Sequence, residues 1–368
     1  MPTEPQLPEG VPPLTTYYMY ITGGCNLACR HCWITPTYEP NGSTGQCLDF
    51  ELYKLAIEQA LPLGLASIKF TGGEPLLHPD FVRMVDYATE RGLRTWLETN
   101  GTLMTQELAR HLKEKTSLKS VSVSLDGATA ATHDYMRNIS GSFGLAKRGV
   151  EYLAKVGYKP QIVMSLHCDN INEIEELVQW AIKAECGSVK FNIVQSMGRG
   201  TQMEQQDRLL RIEQLVELGN WIEKELQPYV SIPLSFSWPM AFHGVGRLLA
   251  RPSEVCNIHS ILGVLSTGSL ALCGIGTQED DLVYGHLGED SVVDAWTSHP
   301  GLLRLRAFIP TEFEGVCGRC IFKRYCLGAC VAHNYNESKR LTAPFWFCRL
   351  AEEANLFPLS RLRKDASV

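Results

Sequence analysis

The sequence predicts an α/β protein in which a parallel sheet with helical crossovers is followed by a small cysteine-rich unit. Short β-branched or aromatic runs alternate with amphipathic stretches from about residue 17 to residue 193. Beyond residue 256 the segments are short, glycines are frequent and cysteines recur at close spacing. With 368 residues and 45% hydrophobic content, the chain can bury a large core around such a sheet.

Six segments have the length and composition of strands. They span residues 17–21, 67–70, 94–98, 120–124, 161–166 and 188–193. Helical periodicity fills the intervals, at residues 49–61, 80–91, 105–111, 142–156 and 172–184, and again at 203–226. Asp49, and Asn172 with Glu175 three residues later, are typical of helix N-termini. Strict alternation of strand and helix favours a parallel sheet, because parallel neighbours need a crossover.

Prolines at 228, 233 and 239 mark the end of the alternating region, since proline interrupts regular structure. We therefore expect five parts in the chain. They are a loose extension over 1–16, the sheet unit over 17–235, a bridging segment over 236–255, the cysteine-rich unit over 256–348 and a C-terminal tail or helix over 349–368.

The charge pattern argues against two classes of partner. The net charge is −6 and no long Lys/Arg run occurs, so neither nucleic acid nor an anionic membrane is expected as a partner. No window approaches 18 consecutive apolar residues, and the start is acidic and proline-rich, unlike a signal peptide. A cytoplasmic location is the expectation.

Cysteine is the most informative residue type. The chain has 13 cysteines, an odd number at a density far below that of disulfide-rich scaffolds, which favours metal ligation. Ten of them fall into two closely spaced arrangements. The other three, Cys47, Cys168 and Cys186, stand alone and are expected to be core thiols.

The first arrangement is C-x3-C-x2-C, formed by Cys25, Cys29 and Cys32 directly after the first strand. A structural zinc site requires four protein ligands, and beyond His31 no fourth ligand follows at finger spacing. A four-iron cluster held by three thiolates leaves one iron open to a small molecule. A zinc ribbon and plain core thiols are the alternatives.

This arrangement, with the His31 ring before the last cysteine, resembles the radical S-adenosylmethionine (SAM) superfamily. Two more segments strengthen the resemblance: Thr-Gly-Gly-Glu-Pro at 71–75 and Ser-Leu-Asp-Gly at 124–127, followed by Arg137. The resemblance covers residues 17 to about 200, and it implies a partial (β/α)6 barrel. It also implies that SAM is contacted by His31, Gly72, Gly73, Glu74, Asn100, Ser124, Asp126, Arg137 and Gln195.

The second arrangement resembles the SPASM domain of radical SAM maturases. The resemblance implies one auxiliary [4Fe-4S] cluster on Cys317, Cys320, Cys326 and Cys348, and a second on Cys256, Cys273 and Cys330. Together with the SAM cluster this makes three. The second auxiliary cluster would have an open iron or a non-cysteine ligand such as His259. The alternative is that both clusters have a structural role only and stabilise the fold of the domain.

The resemblance implies an oxidative maturase that removes a hydrogen atom from a ribosomally made peptide and installs a C–C, C–O or C–S crosslink. A small metabolite as substrate is an alternative. A sulfatase-maturase-like reaction is disfavoured, because Gly274 follows Cys273 at the position where those enzymes carry an Asp that acts as the general base. A non-enzymatic iron–sulfur electron carrier is the least favoured alternative.

The partners implied are a peptide and a flavodoxin- or ferredoxin-type reductant. Because about sixteen residues precede the first strand, no leader-binding module is expected there. A separate leader-binding protein would then present the peptide, unless the barrel recognises it directly. Polar residues at strand ends, such as Glu98, His167 and Asp169, are expected to be structural, so the general base stays unassigned.

Overall fold

The computed structural model describes residues 7–38, 45–250 and 256–363, and a large, mainly parallel sheet organises this part of the chain. The strands are β1 (Thr16–Tyr20), β2 (Gly24–Cys25), β3 (Thr37–Tyr38), β4 (Ser67–Thr71), β5 (Arg94–Thr99), β6 (Leu118–Ser124), β7 (Gln161–Leu166), β8 (Ser188–Ile193), β9 (Leu234–Phe236), β10 (Ile261–Leu265), β11 (Ser269–Ala271) and β12 (Val283–His286). Strands β2 and β3 pair with each other, and the other ten form one sheet in the order β12-β11-β10-β1-β4-β5-β6-β7-β8-β9.

The six predicted strands correspond to β1 and β4–β8, so the α/β class with a parallel sheet is confirmed. The sheet is wider than predicted at both edges. β9 pairs in parallel with β8, although prolines border it. β10, from the cysteine-rich unit, pairs in parallel with β1, with Thr16 opposite Ile261 and Tyr20 opposite Leu265. The C-terminal unit therefore supplies a strand beside the first strand of the barrel.

Helices follow the strands of the sheet and recur in the C-terminal unit. In the described residues they are α1 (Phe50–Ala60), α2 (Phe81–Glu90), α3 (Gln106–Lys115), α4 (Ala130–Arg137), α5 (Ser142–Lys155), α6 (Ile174–Lys183), α7 (Gly200–Gln205), α8 (Ile212–Trp221), α9 (Val245–Ala250), α10 (Val292–Ser298), α11 (Pro300–Phe308), α12 (Gly315–Arg319), α13 (Lys323–Cys326), α14 (Val331–Ser338) and α15 (Trp346–Glu353).

Three helix predictions need correction. The single helix expected over 203–226 is two helices, α7 and α8, separated by a turn, and α8 continues as a π-helical turn over Ile222–Leu226. The short helix α4 was not predicted. Asp49 caps α1 as expected, because its carboxylate accepts the amides of Glu51 and Leu52. Asn172 does not cap α6, since it lies inside a 3-10 turn over Ile171–Glu173.

Side chains alternate across β1, as the period of a strand requires. Tyr17 and Met19 are fully buried, and the Tyr17 hydroxyl donates to the Ala56 carbonyl of α1 at 3.0 Å. Tyr18 and Tyr20 lie on the opposite face, where the charges of Cys256 and Cys273 influence them. One face of β1 thus builds the core and the other faces the cysteine-rich unit.

The described part of the N-terminal segment is packed, which differs from the loose extension expected from the sequence. Leu14 is fully buried, and the indole nitrogen of Trp296 in α10 donates to the Pro12 carbonyl at 2.8 Å. Residues 1–6, 251–255 of the bridging segment and 364–368 of the tail lie outside the described residues. No helix in the described ranges has the length and apolar character needed to span a membrane.

Candidate active site

The loop after β1 brings three cysteines to one cavity. Cys25, Cys29 and Cys32 line a cavity of about 220 Å³ at the carboxyl ends of the strands, where parallel α/β folds bind ligands. Burial raises the pKa of the Cys25 thiol to about 12, with a further contribution from the Glu74 carboxylate. Burial also raises the pKa of Cys29, although Arg137 opposes it. These thiols become ligands only when a cationic group stabilises the thiolates.

The Gly-Gly-Glu segment after β4 packs directly on this loop. The Gly73 amide donates to the Thr22 carbonyl at 3.0 Å, and the Glu74 amide donates to the Gly24 carbonyl at 3.0 Å. A Cβ at Gly73 would lie 1.9 Å from the Gly24 oxygen, so no larger residue fits there. Gly72 lines the cavity beside it. The glycines thus bring the two segments into backbone contact next to Cys25.

The Glu74 carboxylate is buried and joins two strand ends. It accepts hydrogen bonds from the Thr99 hydroxyl at 2.6 Å, the Asn100 amide at 2.7 Å and the Leu76 amide at 3.1 Å. Burial outweighs these bonds and raises the pKa of Glu74 to about 7. Its two oxygens accept three hydrogen bonds within the protein, and Glu74 also lines the cavity in which the resemblance places SAM.

Asn100 fixes the segment that carries Cys25. Its side-chain amide donates to the Asn26 side chain at 2.9 Å and lies 3.9 Å from the Cys25 sulfur. The side-chain oxygen of Asn100, Oδ1, accepts a hydrogen bond from the backbone amide of Thr102 at 2.9 Å. These bonds make Asn100 a positioning residue for the cysteine loop.

Arg137 is the positive charge nearest to the cysteine loop. Its guanidinium lies 2.9 Å from the Asp126 carboxylate and donates to the Cys29 sulfur at 3.5 Å. Asp126 is fully buried and pairs with Arg137, which lines the cavity. His31 also points to this pair, 3.9 Å from Asp126, and burial lowers its pKa to about 4.

Two further residues complete the cavity wall. Ser124 lines it at the end of β6, as expected. Arg199 lines it as well, with its backbone amide donating to the Cys32 carbonyl at 3.0 Å. The Nε and Nη2 atoms of Arg199 are buried without a partner. The sequence analysis assigned no role to Arg199.

A larger chamber of about 620 Å³ adjoins the cofactor cavity. Gln161, Lys190 and Asn192 of β7 and β8 line both spaces. The far wall of the chamber includes cysteines of the C-terminal unit, namely Cys256, Cys326 and Cys330. Gln195 lines this chamber and not the cofactor cavity, which differs from the predicted SAM contact because β8 ends at Ile193.

An ion pair lies close to the boundary of the two spaces. The Lys69 ammonium is 2.7 Å from the Glu98 carboxylate and 4.7 Å from the centre of the Tyr18 ring. Burial alone would raise the pKa of Glu98, but Lys69, together with Lys190, holds it below its usual value. Glu98 lines the cofactor cavity as a carboxylate, which makes it an acceptor of hydrogen bonds.

Cys256, Cys273 and Cys330 lie near one another on the chamber side of the C-terminal unit. Burial raises the pKa of Cys256 to about 12 and that of Cys273 above its usual range, and in each case Cys330 adds to the effect. The backbone amides of Ala332 and His333, in the first turn of α14, point to the Cys330 sulfur. Amides at a helix start favour a thiolate there.

The other four cysteines of the unit surround a narrow apolar cavity. They are Cys317, Cys320, Cys326 and Cys348. The amide of Phe345 donates to the Cys317 sulfur and that of Phe322 to the Cys320 sulfur, both at 3.4 Å. A hydrogen bond with Cys348 lowers the pKa of Cys317, and burial raises that of Cys326 to about 12. These four cysteines thus lie around one cavity, and Cys326 also lines the chamber.

The spacing within the groups does not suit a single ion. Across residues 7–38, 45–250 and 256–363, no three His, Cys, Asp or Glu side chains are close enough to hold one metal ion. A zinc ion with bonds of about 2.3 Å requires such closeness, whereas each thiolate of a cluster binds a different iron. The chemistry of the donor sets thus fits clusters better than zinc.

Two further sequence expectations concern side chains near these groups. His259 forms a hydrogen bond with the backbone of Ile309 and lies near Arg306, and burial lowers its pKa. Of the three isolated cysteines, Cys186 is buried, whereas Cys47 and Cys168 are partly exposed. The core-thiol expectation therefore holds for Cys186 alone.

Comparison with known proteins identifies the family. A sequence model of the radical SAM superfamily matches residues 19–181. The Fe-coproporphyrin III synthase of Methanosarcina barkeri is 31% identical to this chain, over 84% of this chain and 81% of that protein. The chain belongs to the radical SAM superfamily. It is thus a radical SAM enzyme, and its cofactors include SAM and a [4Fe-4S] cluster.

Other radical SAM relatives cover nearly the whole chain. The AdoMet-dependent heme synthase of Nitratidesulfovibrio vulgaris is 27% identical over 90% of this chain and 91% of its own length. The mycofactocin maturase MftC of Mycobacterium tuberculosis is 28% identical over 88% of this chain and 80% of its own. The crystal structure of Streptococcus suis SuiB bound to precursor peptide SuiA matches with a TM-score of 0.70, over 92% of this chain and 76% of that chain, at 17% identity. The last match supports the radical SAM–SPASM fold.

Proposed function

We propose that this radical SAM enzyme modifies a ribosomally made peptide and installs an oxidative crosslink, of the C–C, C–O or C–S type. The chamber carries this proposal. It shares Gln161, Lys190 and Asn192 with the cofactor cavity and extends to the cysteines of the C-terminal unit. Amide, hydroxyl and ammonium groups line its sheet side, and such groups suit the amides of a peptide.

The relatives support a peptide substrate. MftC is named a maturase, and SuiB was crystallised with a precursor peptide. The chamber volume of about 620 Å³ lies in the range of small-molecule sites, which is enough for a few residues of an extended chain. A separate leader-binding protein would present the remainder of the peptide, and a flavodoxin- or ferredoxin-type protein would supply electrons.

Cys25, Cys29 and Cys32 would hold the SAM cluster. We assign one auxiliary [4Fe-4S] cluster to Cys317, Cys320, Cys326 and Cys348, and a second to Cys256, Cys273 and Cys330, for three clusters in all. When bound, these groups and SAM supply a 5′-deoxyadenosyl radical that removes one hydrogen atom, and an acceptor for the electron released on crosslinking. Burial raises the pKa of one thiol in each set, Cys25, Cys256 and Cys326, to about 12, and this fits the assignment because a bound cationic group is needed to hold such a thiol as thiolate.

The remaining residues of the cavity would orient SAM and the substrate. Gly72, Gly73, Glu74 and Asn100 shape the loop of Cys25. The Arg137 guanidinium, held by Asp126 with His31 beside it, donates to the Cys29 sulfur and offsets thiolate charge there. Ser124 and Arg199 are left to bind the polar end of SAM. In the chamber, Gln161 and Asn192 are placed to hold a peptide amide, and Gln195 lies at its outer end. Enclosing the substrate in this way limits access of water and stray hydrogen donors.

A tetrapyrrole is the second candidate substrate. The observation that favours it is the coverage of the heme synthase relative, 90% of this chain, together with the 31% identity to the Fe-coproporphyrin III synthase. A sulfatase-maturase-like reaction has less support. A Cβ at Gly274 would lie 2.5 Å from the Tyr20 ring and 2.9 Å from Trp33, so an Asp has no space there.

Mass spectrometry separates the two candidates. Each short open reading frame found next to the gene is co-expressed anaerobically with the enzyme as a candidate substrate, and the mass of its peptide is compared with that from a Cys25→Ala/Cys29→Ala/Cys32→Ala co-expression. Loss of two hydrogen atoms with the unmodified enzyme alone is the expected result. If the peptide mass is unchanged and the purified enzyme converts iron-coproporphyrin, the peptide proposal is refuted and a tetrapyrrole is the substrate.

A further inference from the structure

A second cavity of about 620 Å³ lies on the outside of the chamber, between the start of α8 and the helices α14 and α15. We refer to it as the acidic groove. Its lining includes four carboxylates, those of Glu204, Asp207, Glu213 and Glu337. Neither the cofactor cavity nor the substrate chamber includes these residues. The groove therefore needs an explanation of its own.

The charges of the acidic groove are unbalanced. Two cations, Arg211 and Arg349, line it against the four carboxylates. The Arg349 guanidinium lies 2.7 Å from Glu337 and 3.4 Å from Glu353, so its positive charge is offset by these two carboxylates. Glu204, Asp207 and Glu213 face a single remaining arginine. A concave surface with excess negative charge attracts a positively charged ligand.

The floor of the groove has unused hydrogen-bonding capacity. His333 lines it and is only 6% exposed, and its Nδ1 atom has no partner. The indole nitrogen of Trp346, which also lines the groove, is likewise without a partner. Leaving a buried polar group unpaired costs about 1–3 kcal/mol. Both groups can be satisfied by a ligand with polar backbone atoms.

The groove and the substrate chamber meet at one ridge. Gln195 lines both spaces, and the adjacent residues Phe345 and Trp346 line the chamber and the groove respectively. An extended chain spans about 3.3 Å per residue, so it can cross one side chain within a few residues. A molecule in the chamber can thus continue into the groove.

We propose that the acidic groove binds a lysine- or arginine-containing segment of the same peptide whose reacting residue occupies the chamber. The inference rests on the peptide-modifying function proposed above. The carboxylates select the cationic side chains, and the groove floor receives the backbone. The flanking segment sets which residue of the peptide reaches the chamber.

The test is a binding measurement with two fluorescein-labelled peptides of alternating Gly with Lys, or Gly with Glu. The anaerobic holoenzyme is expected to bind the Lys peptide at least about tenfold more tightly, with affinity falling as salt rises. The Glu204→Lys/Glu213→Lys variant should reverse this preference. A gain of binding to the Glu peptide cannot result from misfolding. The matched control, Glu175→Lys/Glu217→Lys, changes exposed carboxylates outside the groove and should keep the preference of the parent enzyme.

Equal affinity of the parent enzyme for the two peptides would overturn the groove proposal, as would an unchanged preference in the Glu204→Lys/Glu213→Lys variant. Binding alone decides this question, whereas the mass change of the co-expressed peptide decides the function. If the co-expressed peptide is modified but the enzyme binds the Lys and Glu peptides equally, the groove proposal fails and the proposed function stands. If the Glu204→Lys/Glu213→Lys variant reverses the preference but no co-expressed peptide is modified, the proposed function fails and the groove remains a site for cationic peptides.

Discussion

The backbone amide of Asn100 donates a 2.7 Å hydrogen bond to the buried carboxylate of Glu74. This bond joins the Gly-Gly-Glu segment after β4 to the loop after β5. Asn100 in turn holds Asn26, the neighbour of Cys25. The cysteine loop is therefore positioned by two other strand ends, and its geometry depends on a buried carboxylate that lines the cofactor cavity.

Replacing Glu74 by Gln should destabilise this connection. The new amide group cannot accept from the Thr99 hydroxyl and the Asn100 amide together, so one buried donor is left unpaired. We expect the free energy of unfolding to fall by about 1–3 kcal/mol. Anaerobic urea unfolding measures it, with exposed Glu90→Gln in α2 as the control. Equal stability of Glu74→Gln and Glu90→Gln would contradict the positioning role.

The first cysteine group should be separable from the other two by iron content. The Cys25→Ala/Cys29→Ala/Cys32→Ala variant is expected to retain about two-thirds of the iron and to release no 5′-deoxyadenosine from SAM. Replacement of the isolated buried thiol, Cys186→Ala, should leave both quantities unchanged. Release of 5′-deoxyadenosine by the triple variant would refute the assignment of the SAM cluster.

Arg199→Gln should weaken SAM binding. The unpartnered guanidinium nitrogens of Arg199 line the cavity, whereas both terminal nitrogens of Arg137 are engaged by Asp126 and Cys29. Losing a hydrogen bond to a carboxylate costs about 1.5–3 kcal/mol, or roughly 10–150-fold in affinity. Equilibrium dialysis measures this loss. 5′-Methylthioadenosine lacks the carboxylate and should bind the variant and the parent enzyme alike, so equal losses for both ligands would argue for collapse of the cavity.

Replacing Asp134 should lower the free energy of unfolding and leave the affinity for SAM unchanged. Its carboxylate accepts from the Gly141 amide at 2.7 Å, the Phe143 amide at 2.8 Å and the Ser142 hydroxyl at 2.9 Å, which secures the start of α5. Asp134→Ala is expected to cost about 0.5–2 kcal/mol of unfolding free energy with SAM affinity unchanged. Lower SAM affinity at full stability would instead place Asp134 in the binding site.

The Asp134 contribution should also depend on pH. Burial alone would raise the pKa of this carboxyl, but its amide and hydroxyl donors hold it below the usual 3.8. A depressed pKa means that the stabilisation is complete above pH 3.8 and is lost as the pH falls through the lower value of the folded protein. The difference in unfolding free energy between the parent and Asp134→Ala should therefore shrink below about pH 3.8. A constant difference down to pH 2 would contradict this account.

The strands of the barrel and the cysteine spacing were predictable because each leaves a local pattern. Alternation placed β1 and β4–β8, and spacing separated ten cysteines into two arrangements, whereas the division of the second arrangement into sets of four and three came from the family resemblance. What could not be predicted depends on distant pairings. β9 is a three-residue strand that follows Pro233 and pairs with β8, and β10 has a central glycine and pairs with both β1 and β11.

The site was predictable in position but less so in the role of each residue. A motif shows that Asp126 and Glu74 lie at strand ends, but not where their oxygens point. Their orientation follows from burial and from donors far away in sequence, such as Arg137 and the Ser165 amide for Asp126. Arg199 was missed because nothing local distinguishes an unpaired arginine from an exposed one.

The parallel pairing of β1 with β10 separates two partners by about 240 residues of chain. At a synthesis rate of about 5–20 residues per second, the first strand waits roughly 12–48 s on the ribosome before its second neighbour emerges. During that interval one edge of β1 stays unpaired, and the cysteine loop that follows it is still uncovered by the C-terminal unit. Assembly of the nascent chain thus leaves a window in which iron and sulfur can be delivered to Cys25, Cys29 and Cys32 before the barrel is sealed. Shortening that window, by faster translation or by a circular permutation that brings β10 next to β1, should lower the cluster content of the newly made protein.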